Sequence, residues 1–215
     1  DTRQPEDRAA LARAAMNLAA SLRALRALED LDAIRGTEGE AARGYFSALN
    51  LVVRPDLRGE FRLDDRSRRP PRDPMNALLS FVYALWMNDC RSACEAAGLD
   101  PQVGFLHAIR PGRAALALDL MEEFRPIGDR LVLTLINRQQ VRARDFDFRE
   151  GGAVMLTGDA RKTVLVAYQE RKQEALRHEL FVEPVPLGLI PMVQARLLAR
   201  QLRGEIDAYP PFLMR

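Results

Sequence analysis

At 215 residues, 47% hydrophobic and 29% charged, the chain has enough apolar side chains for a packed core, which excludes disorder as a whole-chain description. Its longest apolar run, Leu78 to Met87 interrupted by Ser80, is far short of the roughly 20 residues that cross a bilayer. Only Cys90 and Cys94 are available for a disulfide, so neither secretion nor a disulfide scaffold has support and a reducing cytoplasm is the expected compartment.

The chain opens at Asp1 directly into a helical pattern with no initiator Met, which points to an upstream segment, a processed chain or a larger fusion. Leu11, Leu18, Leu22, Leu25 and Leu28 recur at helical spacing, predicting one long leading helix within residues 1–36, from about Pro5 to Ile34, ended by Gly36. Thr37 and Glu40 have capping-box spacing, so a second helix is expected to start at Thr37 and turn Tyr45, Phe46 and Leu49 inward. Residues 51–73 carry seven arginines and three prolines and read as a loop. Asp73-Pro74 restarts a helix expected to run to about Ala97, largely buried, with Gly98 at its end. After Gly104-Phe105-Leu106-His107, a helix from about Arg113 is interrupted at Pro126 and continues through Leu131, Val132, Leu135 and Ile136. Gly151-Gly152 suggests a small hairpin in 141–157, and two last helices are expected near 159–179 and 187–204. The fold class is all-α, a single helical domain over 1–215 with at most one small β-hairpin.

The net charge of +2 does not by itself predict a polyanion partner. Its make-up is more telling. Lysine occurs only at Lys162 and Lys172, so 30 of the 32 basic residues are arginine, the cation suited to bidentate phosphate contacts, although G and C coding bias gives the same excess. Phosphate-loop, dinucleotide-fold, nucleophile-elbow and zinc-helix signatures are absent. A zinc site would need Cys90, Cys94, His107 and His178 together, and small apolar residues in a buried helix account better for the cysteines.

The informative segment is Arg113 to Arg125. Asp119 and Glu122, three residues apart, share a helix face, where like charges repel unless a cation answers them. Arg125 reaches Glu122, whereas Asp119 has only Ala115, Leu116, Glu122 and Glu123 at the neighbouring helical positions. Two readings stand side by side: a solvated acidic face, or part of a site for a hard divalent cation such as Mg²⁺ or Mn²⁺. One helix face cannot supply every ligand of such an ion. His107, 12 residues before Asp119, is near enough along the chain to join it.

Four ordered motifs carry a resemblance. They are Thr37-Glu38-Gly39; Arg66-Ser67-Arg68-Arg69-Pro70-Pro71 followed by Asn76-Ala77-Leu78-Leu79-Ser80; Gly104-Phe105-Leu106-His107; and Asp119-Leu120-Met121-Glu122-Glu123-Phe124-Arg125-Pro126. In order and spacing the set, from about residue 30 to the C-terminus, resembles the CRISPR-associated endonuclease and integrase family that inserts new spacers into CRISPR arrays. The resemblance implies a metal set of Glu38, His107 and Glu122, with Asp119 beside them as ligand or supporting carboxylate, and Mg²⁺ or Mn²⁺ as cofactor. It implies phosphodiester strand transfer at double-stranded DNA, the new spacer and the CRISPR repeat. Arg66, Arg68, Arg69 and Arg72 are then the expected phosphate contacts, with Arg110, Arg113, Arg125 and Arg138 as secondary candidates. It further implies a homodimer, two of which flank a small ferredoxin-like companion subunit, and an iron-sulfur trimming nuclease, separate or fused upstream. No residues here resemble the family's N-terminal β-rich dimerisation domain, and Glu122 stands where some members have Asp. The rival expectation is a non-catalytic all-α DNA-binding or scaffold subunit with an acidic surface helix.

Overall fold

A computed structural model describes residues 4–213. The chain is all-α with two small antiparallel strand pairs, and none of its described helices is long and apolar enough to cross a membrane. It divides into two compact units, one comprising the chain up to Ser80 with Val132–Arg161, the other Phe81–Leu131 with the chain from Lys162 onward.

In the first unit, α1 (Pro5–Leu25) packs along α2 (Leu31–Leu49). The expected continuous helix to Ile34 and restart at Thr37 are corrected: the break lies at residues 26–30. Asp30, in extended backbone, caps α2 by accepting the Ala33 N–H at 2.8 Å. Thr37 lies in the helix interior, where neighbouring amides are already bonded, so its hydroxyl donates back to the Ala33 carbonyl at 3.0 Å. Glu38 is therefore an exposed residue in the middle of α2, not at a helix start.

The arginine- and proline-rich segment after α2 contains two 3-10 turns, Asn50–Val52 and Pro55–Leu57. Buried Val53, Phe61 and Leu63 anchor it. The Asn50 amide donates to the Leu63 carbonyl at 2.7 Å while its oxygen accepts the Leu63 N–H at 2.9 Å. The expected hairpin is present as β1 (Phe146–Phe148) and β2 (Val154–Leu156), Phe146 facing Leu156. Gly151 and Gly152 turn it with φ of 88° and 78°, a backbone that side chains disfavour. The Val154 N–H donates to the Pro71 carbonyl at 2.9 Å and joins the hairpin to the loop.

α3 (Pro74–Ala96) begins in the first unit and ends in the second, where α4 (Ala115–Met121) and a 3-10 turn at Glu122–Phe124 follow; α5 (Arg125–Asn137) starts in the second unit and returns to the first at Val132. Pro126 in the first turn of α5 accounts for the break, since proline lacks the N–H that a continuing helix would use. In the second unit Trp86 stacks on Phe124, ring centroids 5.1 Å apart, and meets Tyr168 edge-on at 5.2 Å. α6 (Gly158–Gln173) stops short of the expected residue 179. Ala175–Leu176 (β3) instead pairs with Val185–Pro186 (β4) before α7 (Ile190–Leu202). Two-residue strands carry no alternation that a sequence pattern could reveal.

Candidate active site

The site grows from one carboxylate. Asp119, on α4, receives three successive backbone amides of the connector that precedes the helix. Phe105 N–H and Leu106 N–H donate to Oδ2 at 2.5 and 3.1 Å, and His107 N–H donates to Oδ1 at 2.9 Å. The His107 ring meets the same Oδ1 through Nδ1 at 2.7 Å. The cation missing from Asp119's own helix is thus replaced by N–H dipoles and an imidazole from 12 residues earlier. Burial opposes ionisation of Asp119, but the His107 ring and the three amides outweigh it and hold the carboxyl below its usual value.

An ionised Asp119 facing Nδ1 selects the tautomer with the proton on Nδ1 and leaves Nε2 with its lone pair. Nε2 lies 4.0 Å from Glu122 Oε1, too long for a hydrogen bond. Glu122 Oε2 is held by Arg125 Nη1 at 2.9 Å, the contact anticipated from the sequence. The Arg125 guanidinium sits 5.1 Å over the Tyr83 ring, and the Tyr83 hydroxyl donates to buried Asp129. Arg125 consequently fixes Glu122 through Oε2, with Oε1 on the side of the His107 ring.

Gly104 makes this packing possible. A Cβ there would lie 2.7 Å from the Ala115 backbone carbon, 2.7 Å from Asp119 Oδ2 and 2.8 Å from Ala115 Cβ, so only glycine lets the connector reach α4. Neither this role nor that of Tyr83 beneath Arg125 was visible in the linear pattern.

Glu123 points elsewhere. Its carboxylate accepts from the Tyr209 hydroxyl at 2.6 Å, Gln194 Nε2 at 2.9 Å and the Phe212 N–H at 2.8 Å. Burial nevertheless pushes its carboxyl up. It ties the C-terminal segment to the second unit and belongs to the scaffold.

The structure therefore brings His107, Asp119 and Glu122 together within the second unit, while Glu38 belongs to the first. Among the described residues no three His, Cys, Asp or Glu side chains form a group able to hold a metal ion by themselves. The zinc alternative gains no support from this arrangement: Cys90 and Cys94 are buried free thiols on α3 and belong to no such group, and burial pushes Cys94 up to about 11 and Cys90 well above its ordinary value.

In the first unit the second motif proves to be a loop-to-helix joint. Buried Asn76 donates to the Asp65 carbonyl at 2.8 Å and to Asp73 Oδ2 at 2.5 Å. Its oxygen accepts from Arg66 Nη1 at 2.5 Å and from the Ser67 N–H at 3.1 Å. Arg66 also reaches the Ser67 carbonyl at 2.9 Å and Ser80 Oγ at 3.2 Å, and lies over Phe46. Its guanidinium is committed to the joint. Arg68, Arg69 and Arg72 are exposed.

Comparison with known proteins covers the stretch that holds these motifs. The family model for CRISPR associated protein Cas1 matches residues 1–170. The chain is 60% identical over 189 residues to CRISPR-associated endonuclease Cas1 2 of Rhodospirillum rubrum, covering 87% of this chain and 54% of that protein. It is 42% identical over 203 residues to a CRISPR-associated exonuclease Cas4/endonuclease Cas1 fusion of Geobacter sulfurreducens, covering 93% of this chain and 36% of that protein. Among solved structures, one chain of a Cas6-RT-Cas1–Cas2 complex superposes with a TM-score of 0.84 at 25% identity, covering 99% of this chain and 23% of that one. This sequence spans about half the length of the Rhodospirillum relative. A motif set that folds into a carboxylate-clamped histidine beside Glu122, matched by a family model over most of its length, places the chain in the CRISPR-associated Cas1 family.

Proposed function

We propose that this chain is the catalytic part of a divalent-metal-dependent DNA endonuclease and integrase, which inserts new spacers into a CRISPR array by attack of a 3′-hydroxyl on a phosphodiester. The observation that carries the reading is the His107 ring fixed by Asp119, with Nε2 4.0 Å from Glu122 Oε1. Donors of one octahedral Mg²⁺ lie about 3 Å apart at neighbouring positions and about 4.2 Å apart at opposite ones, so a pair at 4.0 Å is within reach of a shared ion after a small side-chain adjustment. His107 and Glu122 would hold Mg²⁺ or Mn²⁺, and the family resemblance adds Glu38 as a third donor. The bound ion would supply Lewis-acid polarisation of a phosphate oxygen.

The chain's own side chains do the remaining work. Asp119 keeps the imidazole in one tautomer, so that Nε2 presents a lone pair for binding or for accepting the proton of an attacking hydroxyl. Arg125 holds Glu122 in place and limits the reorganisation needed when substrate arrives. Exposed Arg68, Arg69 and Arg72 hold the DNA backbone without reading sequence. Double-stranded DNA is the substrate, as new spacer and as CRISPR repeat. The assembly is a homodimer, two of which flank a small ferredoxin-like companion subunit. The Cas1–Cas2 complex supports that companion, and the Cas4/Cas1 fusion supports a trimming nuclease partner.

The test compares Glu38→Ala and His107→Ala with the unmodified protein in Mn²⁺-dependent strand transfer, alongside DNA affinity by fluorescence anisotropy. Both substitutions should abolish transfer while affinity and melting temperature stay nearly unchanged. Full turnover in either would eliminate the catalytic assignment and return the chain to the non-catalytic scaffold reading.

A further inference from the structure

The connector that carries His107 has a second chemical character. Val103, Phe105 and Ile109 are 54%, 56% and 65% exposed, three large apolar side chains within seven residues. Isolated exposed apolar residues need no explanation, but a cluster on one loop beside a reactive site does. The loop is not free to bury them. Its start is tied by the Leu116 N–H donating to the Pro101 carbonyl at 2.9 Å. Its centre is tied by the Phe105, Leu106 and His107 amides on Asp119, and Gly104 is pressed against Ala115. Turning Phe105 inward would break the bonds that orient His107. Arg110 and Arg113 follow in the same loop, Arg110 exposed and Arg113 half-buried.

A planar apolar ring on a loop that also carries cations is the composition that holds unpaired nucleotides, the ring taking a base face and the cations the backbone. We propose that Phe105 stacks on a nucleobase next to the reacting phosphate and so sets the register of the DNA strand against His107. Phe105 is a positioning residue: it touches the base, not the phosphate. The inference rests on the nuclease and integrase reading, because its occupant is that reaction's substrate. Phe105 and His107 share the Asp119 anchor and the loop continues into Arg110 and Arg113, a pairing of ring and cations that suits a nucleic-acid strand better than a protein surface.

The test uses the full chain with a fluorescein-labelled duplex bearing a single-stranded 3′ extension, in Ca²⁺ to prevent turnover. A single abasic nucleotide is moved along the extension and across the junction. For the unmodified protein, one abasic position should weaken binding about tenfold, the loss expected for one base–aromatic stack. Phe105→Ala should bind intact DNA about tenfold more weakly and be indifferent to the abasic nucleotide at that position. Phe105→Trp should restore the discrimination, and Phe105→Leu, apolar but without a π face, should not. A role confined to loop structure would weaken intact and abasic DNA alike. Equal abasic profiles for the unmodified protein and Phe105→Ala overturn the inference while leaving the nuclease reading intact. Loss of self-association in Phe105→Ala with an unchanged abasic profile also overturns it, in favour of a protein contact. Failure of the unmodified protein to bind DNA overturns both.

Discussion

Asp119 orients His107 and, by the same hydrogen bonds, shapes the loop that carries it, so changes around this carboxylate should lower activity and stability together. Gly104→Ala places a methyl 2.7 Å from backbone and carboxylate atoms that cannot swing aside. The connector must then move off α4. We expect a cost of about 1–3 kcal/mol by thermal unfolding, with Mn²⁺-dependent strand transfer falling well over tenfold. Asp119→Asn tests the charge. The folded carboxyl sits below its ordinary 3.8, so the folded state binds that proton less readily than the unfolded chain does. Asp119 therefore stabilises the fold above pH 3.8, and this contribution is lost as pH falls through the lowered value. Urea midpoints from about pH 2 to 5 should show a shallower acid limb in Asp119→Asn than in the unmodified protein. Parallel limbs would remove Asp119 from the acid response. The sequence exposed Asp119 as an acid with no partner on its own helix. It could not show that three backbone amides answer it, because a main-chain donor leaves no letter in a sequence.

At the level of elements, Asn76 links two stretches of chain that sequence reading treats separately, an arginine-rich loop and a buried helix. All four hydrogen-bonding positions of its amide are used within the joint, and the side chain has no exposure. Truncation leaves a guanidinium, a backbone N–H and a backbone carbonyl without their partner. Asn76→Ala should therefore cost about 2–3 kcal/mol in chemical denaturation and release residues 65–73 to faster amide exchange. Unaltered exchange there would show that proline and Phe46 packing alone hold the loop. Elements with strong punctuation were legible beforehand: α3 between Asp73-Pro74 and Gly98, the Pro126 break, and the hairpin at Gly151-Gly152. The α1–α2 break was not. Asp30 and Thr37 are both competent caps by type, and the choice fell to Asp30, whose backbone is extended and whose oxygen meets a free amide.

For the molecule as a whole, a net charge of +2 conceals arginines of two kinds. Arg66 and Arg125 are turned into the protein, one toward Asn76 and Ser80, the other toward Glu122 and the Tyr83 ring. Arg68, Arg69 and Arg72 lie exposed on the same loop as Arg66. Linear reading could not separate Arg66 from these three, since all share one short basic stretch and only the Asn76 joint distinguishes them. The distinction has a thermodynamic signature. A phosphate contact releases counterions, so its loss reduces the dependence of log affinity on log salt, whereas loss of an internal strut lowers stability and leaves that slope alone. The triple change Arg68→Ala, Arg69→Ala and Arg72→Ala should weaken binding similarly for unrelated DNA sequences and reduce the slope by about 2, given roughly 0.7–0.9 per phosphate neutralised. Its melting temperature should stay near that of the unmodified protein. Arg66→Ala should do the reverse, unfolding earlier while its surviving folded fraction keeps the full slope. Anisotropy titrations over a series of salt concentrations, paired with thermal melts of the same samples, decide between the two behaviours. An unchanged slope in the triple variant would remove this loop from the DNA-binding surface, and a reduced slope in Arg66→Ala would mean that its guanidinium leaves Asn76 to meet the backbone.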